Sequence, residues 1–256
     1  MKIKELSFRH GIAHRHPDER AWVEIQEVLK SITRERIIRE YISYYEYWSG
    51  KKQGKKLRPP VGGQTILNEL IKSGFGSKVG WESQIPVLRR NVDSKVSSDS
   101  TKMLTEKAPY WTMDFKNGLF GVESCFNNAG MFAQNLLRLS VMSESTFLQE
   151  SDKIKLGFLI VPSMALKEWS QMDSTVITFE QVETILPYIT FSIPTPLVLI
   201  GLFPEDEAGV AWQSTRLFGN KTDDFGPKPR PEEFSKLTLP EKSAWEERIK
   251  AELIRL

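Results

Sequence analysis

The stretch Trp111–Asn128, WTMDFKNGLFGVESCFNN, decides the fold. Asp114 sits in an apolar setting, and nine residues later Glu123 follows Val122 and precedes Ser124, Cys125 and Phe126. A short Lys116-Asn117-Gly118 turn between the two acids predicts a β-hairpin, which brings both carboxylates to one end of a sheet. An aspartate and a glutamate on adjacent strands are what a nuclease needs to hold Mg²⁺ against a phosphodiester. The cation neutralises phosphate charge and lowers the pKa of a bound water. The bland alternative is a solvated pair of acids at a polar hairpin end, and the spacing alone does not separate the two.

Outward from the hairpin, residues 1–16 read as a short strand and a His/Arg-rich turn. AWVEIQEVLKSI then places Trp22, Ile25, Val28, Leu29 and Ile32 on one helical face, with Asp18 opening the helix. A second helical pattern runs from about Thr33 to Trp48, and QTILNELIKSGF predicts another helix that stops near Gly74. Residues 91–108 are polar and predict an exposed loop. After the hairpin, FAQNLLRLSVMSESTFLQ has a helical period, with Phe132, Leu136, Leu139, Val141 and Met142 as candidate core. LGFLIVP (Leu156–Pro162) and PLVLIGLF (Pro196–Phe203) are apolar runs of strand length. TFEQVETILPYI between them is helical, so strand, helix and strand predict a crossover that extends the hairpin into a mixed sheet. The expectation is an α/β domain over 1–204 with a charged, Pro-rich extension over 205–256, where Trp212 and Trp245 point to packing and a last helix follows Pro240.

Bulk composition is that of a globular chain: 256 residues, 40% hydrophobic and 27% charged, with a net charge of +2. That balance does not announce nucleic acid, but its distribution is uneven. Lys51–Arg58, KKQGKKLR, holds five cations and no acid, and Arg89-Arg90 adds a pair. One cysteine rules out an intramolecular disulfide and a cysteine-built zinc site, and fits a reducing cytoplasm. No segment reaches the roughly 18 apolar residues of a membrane span, and the opening residues show no apolar leader. Gly62-Gly63 makes neither a P-loop nor a Rossmann pattern, so no nucleotide cofactor is expected and an enzyme of small phosphorylated substrates ranks last. His10, His14 and His16 beside Asp18 lack a second ligand set and read as a solvated arm or a phosphate contact.

Several blocks together resemble the BglII/BstYI group of type II restriction endonucleases, which share the PD-(D/E)XK fold. They are the opening MKI with Trp22–Ile32, the run from Pro60 through Gly80–Pro86, the Asp114-Phe115 and Val122–Phe126 core, and Ser151–Pro162 with Pro196–Gly201. Their order and spacing carry the likeness over about residues 1–204. The resemblance implies a restriction-endonuclease-like mixed sheet flanked by helices. It implies a homodimer that clasps double-stranded DNA and hydrolyses a phosphodiester in each strand with Mg²⁺, at palindromes centred on GATC. Matched by position, Asp114 and Glu123 bind the metal, the Ser124 carbonyl completes its inner shell, and Gln84 (or nearby Glu82) holds a metal-bound water. Cys125 departs from the pattern, standing where the relatives carry Gln and the wider fold Lys or Glu. A thiol is mostly neutral at pH 7 and a poor ligand for Mg²⁺, so Cys125 at most orients water.

The resemblance also implies DNA contacts. Ser170, Gln171, Asp173, Ser174 and Thr175 match a loop that enters the major groove, and Asn127 and Asn128 lie just past the catalytic strand. Such side chains suit base edges. Lys55, Lys56, Arg58, Arg89 and Arg90 would contact phosphates, which adds affinity without sequence information. The competing class is a sequence-specific DNA-binding protein on this fold whose catalysis is impaired through Cys125.

Overall fold

A computed structural model describes residues 1–14, 19–37, 63–87, 111–146, 148–170, 172–192 and 194–205, with isolated positions at 39–40, 43, 238, 240–241 and 244. Strand β1 (Lys2–Phe8) leads into a short helix α1 (Gly11–His14) and then α2 (Glu19–Lys30). The predicted face of α2 is buried in full at Trp22, Ile25, Val28 and Leu29, with Ile32 just beyond. Helix α3 (Gly63–Gly76) follows, then β2 (Glu82–Pro86), and the hairpin β3 (Thr112–Asn117) and β4 (Phe120–Ser124). Helix α4 (Ala129–Glu144) leads to β5 (Leu156–Pro162), α5 (Met164–Trp169), α6 (Phe179–Ile185) and β6 (Leu197–Phe203).

The six strands lie in the order β1-β6-β5-β4-β3-β2. β4, β5 and β6 are parallel neighbours, while β1, β3 and β2 pair antiparallel. The sheet is therefore mixed, as the strand-helix-strand pattern predicts. All of β5 is buried, which is why it reads as a continuous apolar run rather than an alternating one. One face packs α2, α3 and α5 over Phe120, Phe158 and Ile160, and the other packs α4 and α6 over Leu159, Val161 and Leu199.

Several boundaries differ from the sequence reading. The hairpin turn is Gly118-Leu119, one residue later than the expected one, because Asn117 still pairs with Phe120 and only Gly118 takes a positive φ of 52°. Helix α4 ends at Ser145, and Leu148 reaches the core through a turn instead of a helix. Val141 is half-buried, packing at the margin of the core. The helical pattern after Thr178 breaks into a 3₁₀ segment, Leu186–Ser192, at Pro187, which has no N–H to donate. Of the pattern from Thr33, residues 34–37, 39–40 and 43 are helical, and the rest lies outside the described residues, as do the 91–108 loop, His16, Asp18, Trp212 and Trp245. In the extension, Glu241 accepts from both the backbone N–H and the hydroxyl of Thr238, the arrangement of a helix start, where the sequence expects one.

Candidate metal centre and nucleic-acid face

Register fixes the centre of the site. Phe115 pairs with Val122, so the next step along the hairpin sets Asp114 beside Glu123. The strands are irregular at that step. Met113 packs on the α4 side of the sheet and Phe115 on the α2 side, although residues two apart on a regular strand share a face. Across from Asp114, between the pairs Ser83–Phe115 and Ile85–Met113, Gln84 adopts a left-handed backbone with φ of 55°. The break in both strands turns Asp114 toward the end of β4. There its Oδ2 accepts from the Ser124 backbone N–H at 2.8 Å and the Ser124 hydroxyl at 2.7 Å. Its Oδ1 accepts nothing from the described residues.

Glu123 is completely buried. Burial, and then the Asp114 charge, hold its carboxyl well above the ordinary glutamate range; the Arg138 guanidinium and the Asp114 backbone amide oppose them in part. Arg138 Nε lies 3.1 Å from Glu123 Oε1, an ion pair by distance. Neither carboxylate oxygen has a partner in normal hydrogen-bond geometry among the described residues. A buried carboxylate with an open oxygen is costly unless something charged completes it. Arg138 also donates through Nη1 to the Thr112 carbonyl at 2.7 Å and through Nη2 to Asn135 Oδ1. Asn135 Nδ2 in turn donates to the Ser124 carbonyl at 3.4 Å.

Gln84 is exposed and accepts from the Thr112 hydroxyl at 2.9 Å, while Glu82 lies exposed in register with Lys116. Cys125 is 1% exposed and packs among Phe132, Leu136 and Leu139. Burial, with the charges of Glu123 and Asp114, pushes its thiol up to about 12, so it is neutral at any ordinary pH. Among the described residues no three His, Cys, Asp or Glu side chains gather into a metal site. A hard cation fits here only with Asp114, Glu123 and the Ser124 carbonyl as donors, an all-oxygen set. The buried Glu123 carboxylate, whose oxygens make no hydrogen bond of normal geometry among the described residues, fits that requirement.

The structure brings the two expected base-reading segments together. Asn128 caps α4 by accepting from the Met131 N–H at 3.2 Å, and the Ala129 N–H donates to the Thr175 carbonyl at 2.7 Å. Asn127, Asn128, Asp173, Ser174 and Thr175 are exposed around that contact. Lys167 ties down the same loop by donating to the Ser174 carbonyl at 2.8 Å and the Val176 carbonyl at 2.6 Å. Asp173 Oδ1 accepts from the Thr175 N–H and hydroxyl, which holds its carboxyl below the ordinary aspartate range.

Ser170 differs from this group. It is fully buried, its hydroxyl donates to the Leu166 carbonyl, and its own carbonyl accepts from the Gly63 N–H at 2.8 Å. A Cβ on Gly63 would come within 2.4 Å of the Ser170 Cβ, so glycine is required for this approach. Ser170 therefore braces α3 against α5 and presents no side chain to a base. Gln171, Lys55, Lys56, Arg58, Arg89 and Arg90 lie outside the described residues.

Sequence reasoning missed Asn135 and Arg138. Their signal was present: Asn135 lies three residues after Phe132, and Arg138 three after Asn135, on the stripe that otherwise holds core residues. Polar groups on a buried stripe mark a site.

Residues 3–202 match the family described as restriction endonuclease BglII/BglIII. Among solved structures, restriction endonuclease BglII complexed with a DNA 16-mer is similar at 19% identity and a TM-score of 0.52, over 81% of this chain and 80% of that one. Free BglII is similar at 17% identity and a TM-score of 0.47, over 81% of this chain and 82% of that one. No curated protein matches. The first likeness supports a shared fold, and the family match runs from β1 to β6, across the whole sheet and both acids. The chain belongs to the BglII/BglIII restriction endonuclease family.

Proposed function

We propose that this type II restriction endonuclease acts as a Mg²⁺-dependent homodimer that cuts both strands of duplex DNA at a short palindrome related to GATC. The observation that supports the metal dependence is the fully buried Glu123 beside Asp114, with neither Glu123 oxygen in a hydrogen bond of normal geometry among the described residues. A divalent cation supplies Lewis acidity toward the phosphate and lowers the pKa of a coordinated water. Asp114 and Glu123 would hold it, with the Ser124 carbonyl as third donor and Gln84 to orient water. Water attacks phosphorus in line and the bond to the 3′ oxygen breaks, leaving 5′-phosphate and 3′-hydroxyl ends. Asn127, Asn128, Asp173, Ser174 and Thr175 face the bases, and Lys55, Lys56, Arg58, Arg89 and Arg90 serve the phosphates. A two-fold symmetric dimer matches a two-fold symmetric site. The palindrome and the dimer are taken from the family resemblance. The 205–256 extension is taken to pack on the same domain.

The test is digestion of a plasmid of known sequence with purified protein and Mg²⁺, beside Asp114→Ala. Discrete fragments, absent with EDTA and in the variant, are expected, and their ends give the target. A second reading draws on Cys125, whose buried, neutral thiol brings neither charge nor a strong hydrogen bond to the phosphate. Specific binding in a gel shift with no cleavage would favour that catalytically impaired DNA-binding protein.

A further inference from the structure

Among the described residues, Arg138 is the one cation in contact with either acid. It reaches the site from α4, and three of its nitrogens have different partners: Glu123 on β4, the Thr112 carbonyl on β3, and Asn135 on its own helix. Asn135 then bonds the Ser124 carbonyl. Two of the three donors proposed for the cation are thus held from one helix by two side chains three residues apart, a spacing that puts them on one face. Both are buried, at 8% and 1% exposure.

We infer that Arg138 and Asn135 are a positioning pair for the divalent cation, fixing the Glu123 carboxylate and the Ser124 carbonyl before it binds. The inference rests on the metal-site reading above. The pair is directional. With Asn135 Oδ1 engaged by the guanidinium, its amide nitrogen is left to face the Ser124 carbonyl, and the side chain cannot flip without losing both bonds. Packing alone does not account for an arginine here, because its neighbours on the stripe are Leu136 and Leu139. An apolar residue there would avoid the desolvation that a buried ion pair carries. Nor is lysine equivalent: only a planar fork with several donors reaches three partners at once. The pair also accounts for the departure at Cys125. That side chain lies in the apolar cluster, and the donors are ordered from α4.

The test is titration of Mn²⁺ alone into the full-length protein, read by loss of the free-ion electron paramagnetic resonance signal, with Asp114→Ala as baseline. Asn135→Ala and Arg138→Lys are each expected to raise the Mn²⁺ dissociation constant about tenfold, the usual scale for groups that orient ligands. Arg138→Lys keeps the charge, so its loss reports the fork. Thermal unfolding without cation follows the fold in parallel. Lower unfolding temperatures with unchanged dissociation constants would assign the pair a structural role and overturn the inference. If Arg138→Lys does not fold, Asn135→Ala decides alone. Wild-type protein that binds Mn²⁺ no better than Asp114→Ala would remove the metal site itself, and the inference with it.

Discussion

The two faces of the sheet are packed with the same kinds of residue but for different ends. On one side Ile25, Leu29, Ile66, Leu67 and Phe75 close over Phe158 and Ile160, all fully buried. Glu24, buried on α2, is bonded to Trp81 and Arg20. On the other side Leu136, Leu139 and Met142 close over Leu159 and Val161, and the row then runs into Glu123 and Arg138. None of the acids proposed to hold a cation packs on the first face. The second holds a carboxylate whose burial costs stability, and the apolar burial around it offsets that cost. Glu123 and Arg138 thus adjoin one side of the sheet and leave the other to apolar packing.

Glu123→Gln is expected to break this contrast most strongly. It keeps the shape and removes the charge, and cleavage should fall at least about a thousandfold, because the cation loses one of its two carboxylates. Its effect on stability has a definite sign. A carboxyl raised in the fold above the ordinary value of 4.5 binds its proton more tightly folded than unfolded. Wild-type stability is therefore lost as pH climbs from that value through the raised one, whereas the amide does not titrate. In cation-free buffer the unfolding temperature of Glu123→Gln should gain on wild type as pH rises above 4.5, by circular dichroism. Parallel curves would mean that Glu123 is not buried as a carboxylate.

Leu29→Ala probes the other face. It should cost about 2–5 kcal/mol in urea denaturation, with cleavage per folded molecule unchanged. A matching fall in rate would show that the faces are not separable. Cys125 sharpens the boundary with smaller effects. Its thiol should resist Ellman's reagent at about pH 8 until the protein unfolds, since so little thiolate forms. Cys125→Gln should destabilise by about 1–3 kcal/mol through overpacking among Phe132, Leu136 and Leu139. Rapid labelling of the native protein would place Cys125 in an open site.

The sequence made one kind of information plain. Leu156–Pro162 and Leu197–Phe203 are apolar because both of their faces are covered, and the α2 stripe is apolar because one face is, so burial alone was enough to read them. β2 was not legible, since Ile85 is the one fully buried residue in Glu82–Pro86 and pairing along β3 makes it a strand. The burial of Ser170 depends on Gly63, far away in the chain, and no local pattern carries that contact. Asp114 and Glu123 stood out through the hairpin, whereas Arg138 showed only as a cation on an otherwise apolar stripe. Its burial follows from the acid it faces, which lies on another element.

The loop at 172–176 is anchored through main-chain carbonyls: those of Ser174 and Val176 to Lys167, and that of Thr175 to the first residue of α4. Every amino acid brings a carbonyl. Mutational drift at Asp173, Ser174 and Thr175 can therefore alter which side chains are displayed while the moorings stay in place. On the proposed base-reading role, lineages of such enzymes have a route to new targets that leaves the hydrolytic centre intact, and a library randomised at those positions has the same freedom.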